Sequence, residues 1–487
     1  MTKETLFTYQ TRLDLDAESE AILNQFAAIF GKVERSLFAE VSKGFHPNKL
    51  KNEFLKKFQI TARHFNAVRV QLQGKIESIQ QLRKQCITSL QETIQIASKK
   101  IGKLTKKKDK PLLHQKKRRL SRLENKLAKM KIAQQEGKVS LCFGSKKLFR
   151  AQFTLEENKF DSHQDWKNTW ERARNSLIFL LGSKDETGGN QSCVAKLEES
   201  GTLTLRLRLP NSMIAYGKYL VLKNITFNYG MQEILKALTC KQAISYRFVK
   251  DEKGWRVFAS CVYQKPKTIS DQRLGCIGVD INVDHLALAE TDRFGNIIGN
   301  ASIPFNTYGK SKNQAMAQIG DASAKLIEFA KSAKKPIVLE KLNFQKKKSS
   351  LKDLGFAKSS RMLSSFSYQK IIQTCTAKAI RSGVEVFTVN PAYTSIIGYV
   401  KFSNRYGLTK HQAAAVSIAR RHSGFSECCN LSTVTLADGK DDTLTCLLPV
   451  RNRKQHVWSF WSQAKKRIQT ALAAHFRARY SRSKDPP

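Results

Sequence analysis

With 487 residues, 41% of them hydrophobic, the chain is long enough to bury several cores, and two to four domains are expected. Its 85 Lys and Arg against 40 Asp and Glu leave a formal charge of +45. A compact fold sustains such a charge best beside a polyanion, so nucleic acid is the expected partner. No run of about 18 apolar residues exists to span a bilayer, and MTKETLFTYQTRLDLD lacks the layout of a secretory leader. A cytoplasmic protein with no membrane partner is expected.

In chain order, Phe7, Tyr9, Thr11 and Leu13 alternate as one strand within residues 1–16. Residues 17–136 read as helices: Leu23, Phe26, Ala27 and Phe30 recur at helical spacing, and His64–Ser98 reads as one or two more. Lys99–Lys131 holds fifteen Lys or Arg against Asp109 and Glu124, yet Leu120, Leu123, Leu127 and Met130 keep one apolar face. With so few acids for i,i+4 pairing, Lys116, Lys117, Arg118 and Arg119 are candidate phosphate contacts. Residues 137–270 read as β-rich: a hairpin around Gly144–Ser145, an alternating strand Leu203–Leu209 with Arg206 and Arg208 on one face, and strands Ala243–Val249 and Trp255–Tyr263. A linker is expected at Pro266–Asp271. From 271 to 450 the order is three strands, helix, strand, helix, strand, helix, an RNase H-like order, with Gly383 ending the second of these helices. The tail from 451 to 487 is basic. Ten scattered cysteines contain no C-x-x-C pair, so free, mostly buried thiols and no zinc site are expected.

The chemistry is concentrated at two strand ends. IGVDIN closes an apolar strand on Asp280, and IVLEKLN closes another on Glu340. A carboxylate in such a place is costly unless a cation or hydrogen bonds meet it. If the two strands lie side by side, both carboxylates reach one divalent-metal centre. Hard oxygen ligands of this kind suit Mg²⁺, with Mn²⁺ able to substitute, and phosphodiester cleavage. Lys346, Lys347 and Lys348, just past Glu340, could hold a nucleic-acid strand. A strand-transfer enzyme would need an acid triad or a Tyr beside a His pair, and neither pattern is present.

Asp280 in GVDIN, Glu340 in LEKLNF, VNPAYTS (Val389–Ser395) and HQAAA (His411–Ala415) resemble, in order, the three RuvC regions of the TnpB family, transposon-associated relatives of type V CRISPR effectors. The motifs cover about 275–422. The resemblance implies a multidomain α/β protein: a first wedge strand, a helical recognition lobe, a wedge β-barrel and an RNase H-like RuvC nuclease domain. It also implies a guide RNA from the transposon end, a target double-stranded DNA read beside a short adjacent motif, and one RuvC site that cuts it.

Two departures stand out. The family's four-cysteine zinc ribbon falls where this chain has Ile396–Thr409 without a cysteine, so a short loop is expected in its place. The family's third acid aligns with Lys410, and a protonated lysine cannot ligate a metal. His411, one residue on, is the candidate replacement, as a neutral base whose pKa a helix N-terminus would lower. Asp284, Asp438, Asp441 and Asp442 are the candidate third acids. A non-cleaving RNA-guided DNA-binding protein, a repressor or targeting factor, is the alternative reading.

Overall fold

The computed structural model describes residues 5–107, 110–184, 186–341, 368–437 and 443–482, and the chain divides into two packing units, 1–264 and 265–487.

In the first unit, β1 (Leu6–Arg12) leads into α1 (Ala17–Ser42), whose N-terminus is capped by Asp16 accepting from Ser19 N at 2.6 Å. Leu23, Phe26, Ala27 and Phe30 turn inward, as the helical spacing predicts. After α2 (Pro47–Phe58), α3 (Ala62–Lys107) runs for 46 residues without a break, and α4 (Lys110–Gln135) returns along it. Arg83 on α3 donates to Ala133 O at 2.6 Å near the open end of this hairpin. The basic segment therefore occupies the end of α3 and much of α4, with Lys117, Arg118 and Arg119 exposed.

The hairpin expected around Gly144–Ser145 does not form. Ser145 accepts from Leu148 N at 3.0 Å and starts α5 (Lys146–Ala151). The alternation before it is coil, with Phe143 edge-on to Phe38. A capping serine here decides the local structure over the apolar pattern. Then follow α6 (His163–Arg174), β2 (Leu177–Leu180), β3 (Cys193–Leu197), β4 (Leu203–Arg208), β5 (Tyr219–Ile225), α7 (Met231–Thr239), β6 (Ser245–Asp251) and β7 (Gly254–Val262). The strands make two sheets, β1-β7-β6-β2 and β3-β4-β5. The opening strand β1 pairs antiparallel with β7, from Leu6 opposite Val262 to Arg12 opposite Arg256. One continuous core joins α1, α3 and the inner faces of both sheets.

In the second unit the order is β8 (Ile277–Ile281), β9 (His285–Thr291), β10 (Ile297–Pro304), α8 (Lys312–Ala333), β11 (Ile337–Glu340), α9 (Tyr368–Arg381), β12 (Val386–Val389) and α10 (Lys410–His422). The helix before Gly383 is expected over Ser360–Arg381, and its part before Tyr368 lies outside the described residues. The sheet order is β10-β9-β8-β11-β12: β8, β9 and β10 pair antiparallel, while β8, β11 and β12 run parallel. This is the strand sequence expected for the region. Gly383 stands at φ +68° just past α9, and an added Cβ would lie 2.4 Å from Lys267 O, so the expected linker packs on the helix terminus.

Where a short loop was expected in place of the zinc ribbon, the chain is helical. Thr394–Gly398 continues into a wide turn over Tyr399–Ser403. Ile397, Tyr399, Val400 and Phe402 bury themselves in the core that holds Ala413 and Val416 of α10. Their apolar spacing supplies the reason, and Gly398 permits the approach, since a Cβ there would meet Ala413 C at 2.4 Å. All ten cysteines are free thiols, and Cys193, Cys261, Cys276, Cys375, Cys429 and Cys446 are buried. Among the described residues no helix is long and apolar enough to cross a membrane.

Candidate active site

Strand register brings the two predicted acids together. β11 pairs parallel with β8, Ile337 opposite Ile277, Val338 opposite Gly278 and Leu339 opposite Val279. Asp280 and Glu340 follow the last of these pairs, at the C-terminal ends of adjacent strands spaced about 4.8 Å apart. Because side chains alternate, positions 278, 280, 338 and 340 share one face. That face is covered by α10: a Cβ on Gly278 would lie 2.0 Å from Ala415 O, and Val338 packs with Ile418 and Ala419.

The close packing explains how His411 reaches Asp280. From Gly278 to Asp280 the strand advances about 6.6 Å, and from Ala415 back to His411 the helix advances about 6 Å. With Gly278 seated on Ala415, His411 falls beside Asp280, and its Nδ1 lies 2.9 Å from Asp280 Oδ2. Thr409 and Gln412 hold this helix start in a reciprocal capping box.

The lowering of the His411 pKa expected from its helix position is opposed by its neighbour. The histidine's pKa is raised, because the hydrogen bond to Asp280 outweighs partial burial, with Asp284 adding a smaller pull. A helix N-terminus disfavours the imidazolium by roughly 0.3–1 kcal/mol, whereas a hydrogen bond to a charged group contributes about 1.5–3 kcal/mol. His411 Nδ1 donates to the Asp280 carboxylate.

Asp280 Oδ2 also accepts from Asn282 Nδ2 at 3.1 Å. The same amide lies 3.3 Å from His285 Nε2, while His285 Nδ1 lies 2.7 Å from Asp284 Oδ1. Rings of His285 and His411 meet edge-on at 5.0 Å. Asp284 is thereby held in the exposed turn. Among the described residues no group of three or more His, Cys, Asp or Glu side chains is placed to hold a metal ion. Asp438, Asp441 and Asp442 lie outside the described residues, as do Lys346, Lys347 and Lys348. Lys410 sits 4.9 Å from the centre of the Tyr399 ring.

Glu340 is buried at 7% exposure. The hydroxyl of Thr394, from the VNPAYTS segment, donates to its Oε1. Tyr368 donates to Glu340 O at 3.0 Å, and burial first, then the Glu340 and Asp280 carboxylates, push its phenol well up, which keeps it a donor. Arg421 donates to Ala392 O at 2.8 Å; burial lowers its pKa while Glu340 opposes that. Sequence reasoning found Asp280, Glu340 and His411. It missed the supporting roles of Asn282, His285 and Thr394, although Asn282 stands in GVDIN and Thr394 in VNPAYTS.

Of the candidate phosphate contacts, Arg206 is exposed, with its guanidinium 4.7 Å from the centre of the Tyr219 ring. Arg208 donates to Leu209 O at 2.7 Å, Lys218 O at 3.1 Å and Asn211 Oδ1 at 2.7 Å. It braces the β4–β5 connection with three of its five N–H groups.

No protein-family model and no curated protein matches the chain. Solved structures similar to it include T. thermophilus RuvC in complex with a Holliday junction substrate, at 14% identity and TM-score 0.22, covering 31% of this chain and 92% of that one. A CRISPR-Cas12f ternary complex aligns at 12% identity and TM-score 0.21, covering 85% and 98%. A Cas12i1 R-loop complex after target DNA cleavage aligns at 9% and 0.22, covering 78% and 56%. These scores are too low to assign a fold or an activity, and the reading of the site rests on its own geometry.

Proposed function

We propose that this chain is an RNA-guided DNA endonuclease of the TnpB type, carrying a guide RNA from a transposon end and cutting double-stranded DNA beside a short adjacent motif. The observation that carries the reading is the adjacency of Asp280 and Glu340 at the ends of neighbouring parallel strands, with His411 bonded to Asp280. The donor set suits a hard divalent cation: two carboxylates, one of them buried where an uncompensated charge would be costly. A Mg²⁺ ion held by Asp280 and Glu340, with Mn²⁺ able to replace it, would supply a polarised water and positive charge at the scissile phosphodiester.

The chain's own residues prepare that site. His411 and Asn282 both occupy Oδ2 of Asp280 and so fix the carboxylate's rotation. Thr394 fixes Glu340, and Tyr368 anchors the strand end behind it. The exposed cations of α4 and of β4 supply phosphate contacts, in keeping with recognition by base pairing and backbone charge.

The test is to sequence the RNA that co-purifies with the chain and to incubate the complex, with Mg²⁺, on DNA carrying the matching target beside a randomised flank. Cleavage restricted to one flank and to the RNA-matched target is the expected result. Protein that purifies free of RNA at moderate salt, soluble and folded, counts against the reading. A second reading, a guided DNA-binding protein that does not cut, is favoured by Lys410 at the family's acid position and by the hold of His411 on Asp280. Guided retention of the target without cleavage under any metal would establish it.

A further inference from the structure

We infer that the solvent face of the β3-β4-β5 sheet is a stacking surface for a single-stranded segment of RNA, centred on Tyr219 and Arg206. The inference rests on the reading of the chain as an RNA-guided protein, and it adds a ligand conformation and a contact mode to it.

The sheet has two unlike faces. Leu203, Leu205 and Leu207 of β4 and Leu220 and Leu222 of β5 are buried in the core. The intervening positions face solvent: Lys196, Arg206, Tyr219, Val221 and Lys223 are all exposed. Register places Arg206 opposite Val221 and Arg208 opposite Tyr219. Three cations surround the one phenol ring: Arg206 at 4.7 Å, Lys218 at 5.6 Å and Arg208 at 5.9 Å from its centre. Among the described residues no carboxylate pairs with Arg206, Arg208, Lys218 or Lys223, and Lys196 reaches Glu198 only at 3.9 Å. Cations gathered this closely repel one another unless an anion joins them.

The mixture of groups selects the partner. A duplex presents phosphates and hides its base faces, and would ask only for cations. Here an aromatic ring and an exposed valine lie among the cations, which suits unstacked bases with phosphates alongside. Arg206 and Tyr219 offer two planar groups side by side, and bases stack on either kind. A face exposed in the protein alone is best covered by the partner that stays bound, the resident RNA, and not by a DNA target that comes and goes.

The test uses the full chain washed free of nucleic acid at high salt, and three fluorescent probes of about 12 nucleotides, within the span that such surfaces hold: an unstructured RNA, the same RNA in a duplex, and the matching single-stranded DNA. Tyr219→Ala should weaken binding of the single-stranded RNA about 5- to 100-fold, the range of one lost base stack, with its salt dependence unchanged. Tyr219→Phe should bind like the wild type, which separates stacking from folding. Arg206→Ala should reduce the salt slope by about 0.7, the value for one phosphate contact on a single strand. Duplex affinity should not change in Tyr219→Ala. Wild-type binding by Tyr219→Ala or an equal loss on duplex would each overturn the inference; single-stranded DNA should lose affinity in the same proportion as RNA, since stacking does not read the 2′-OH. No target or metal enters the assay, so failure to cut DNA leaves this result standing, and failure here leaves the nuclease reading standing.

Discussion

The β3-β4-β5 sheet and the five-stranded sheet of the second unit put charge in different places, and the cause is how each is covered. In the first, only one face is packed, so leucines alternate with cations along β4 and the charges spread over an open surface. In the second, β11 is buried at every residue, and helices lie on both faces of the central strands. Along β8 and β11 polar side chains stand only where the strands end, at Asp280 and Glu340. One sheet thus offers area and charge for binding, and the other offers two fixed carboxylates for chemistry. If that division holds, damage to one set should leave the other's property intact.

The sharpest break is Glu340→Ala. It should lower the cleavage rate by about 10³-fold or more, the scale of losing a metal's charge stabilisation, while binding curves for RNA and for matched DNA stay superimposable. Rates from single-turnover cleavage and affinities from filter binding on the same preparation check both halves.

A stability measurement next separates the two units. His64 is buried, its ring edge-on to Phe26 and Phe30, with Nε2 bonded to Arg208 O at 3.0 Å and Nδ1 without a partner. Burial, the largest cause, pushes its pKa down to about 4. The unfolded imidazole binds its proton near 6.5, so between pH 6.5 and 4 the unfolded chain holds the extra proton. Stability of the first unit therefore falls as pH drops through that window and levels off below it. The full loss is about 3 kcal/mol for a shift of this size. Hydrogen exchange of peptides from α3 should accelerate accordingly, and His64→Leu should flatten the pH dependence. Exchange in α10 should not follow the His64 substitution.

Within the site, His411→Ala should slow cleavage about 10²-fold and leave guided binding unchanged. Because His411 donates to Asp280, His411→Gln, which keeps a donor, should recover part of the rate. Full activity in His411→Ala would leave the histidine without a role. Thr394→Val, the mildest of the set, removes one hydrogen bond to Glu340 and should cost about tenfold in rate, in line with roughly 1.5 kcal/mol for a bond to a charged group. Thr394→Ser should restore it.

These residues also mark what the sequence could reveal. Strand order, the adjacency of Asp280 and Glu340, and the side on which His411 lies were all legible, because alternation and helix periodicity are local patterns with long-range consequences. The upward direction of the His411 pKa shift was not, since it follows from a carboxylate 131 positions away. The same holds for Arg208, whose donors are claimed by Lys218 O and Asn211 across a turn. The helix over Lys146–Ala151 was missed because apolar alternation in Val139–Phe143 outweighed the capping signal of Ser145. The helical segment after VNPAYTS shows in the sequence only as the spacing of Ile397, Val400 and Phe402, and the absence of cysteines carries no sign of it.

The most direct measurement compares wild type and Asp280→Asn, each purified with its own RNA, in one reaction that reads cleavage and target retention together. Asparagine keeps the shape of the side chain and removes the charge. With Mg²⁺ present, the account predicts that both proteins retain the RNA-matched DNA equally and that only the wild type yields cut product. Cutting by Asp280→Asn at the wild-type rate, or loss of target retention in step with loss of cutting, would contradict it.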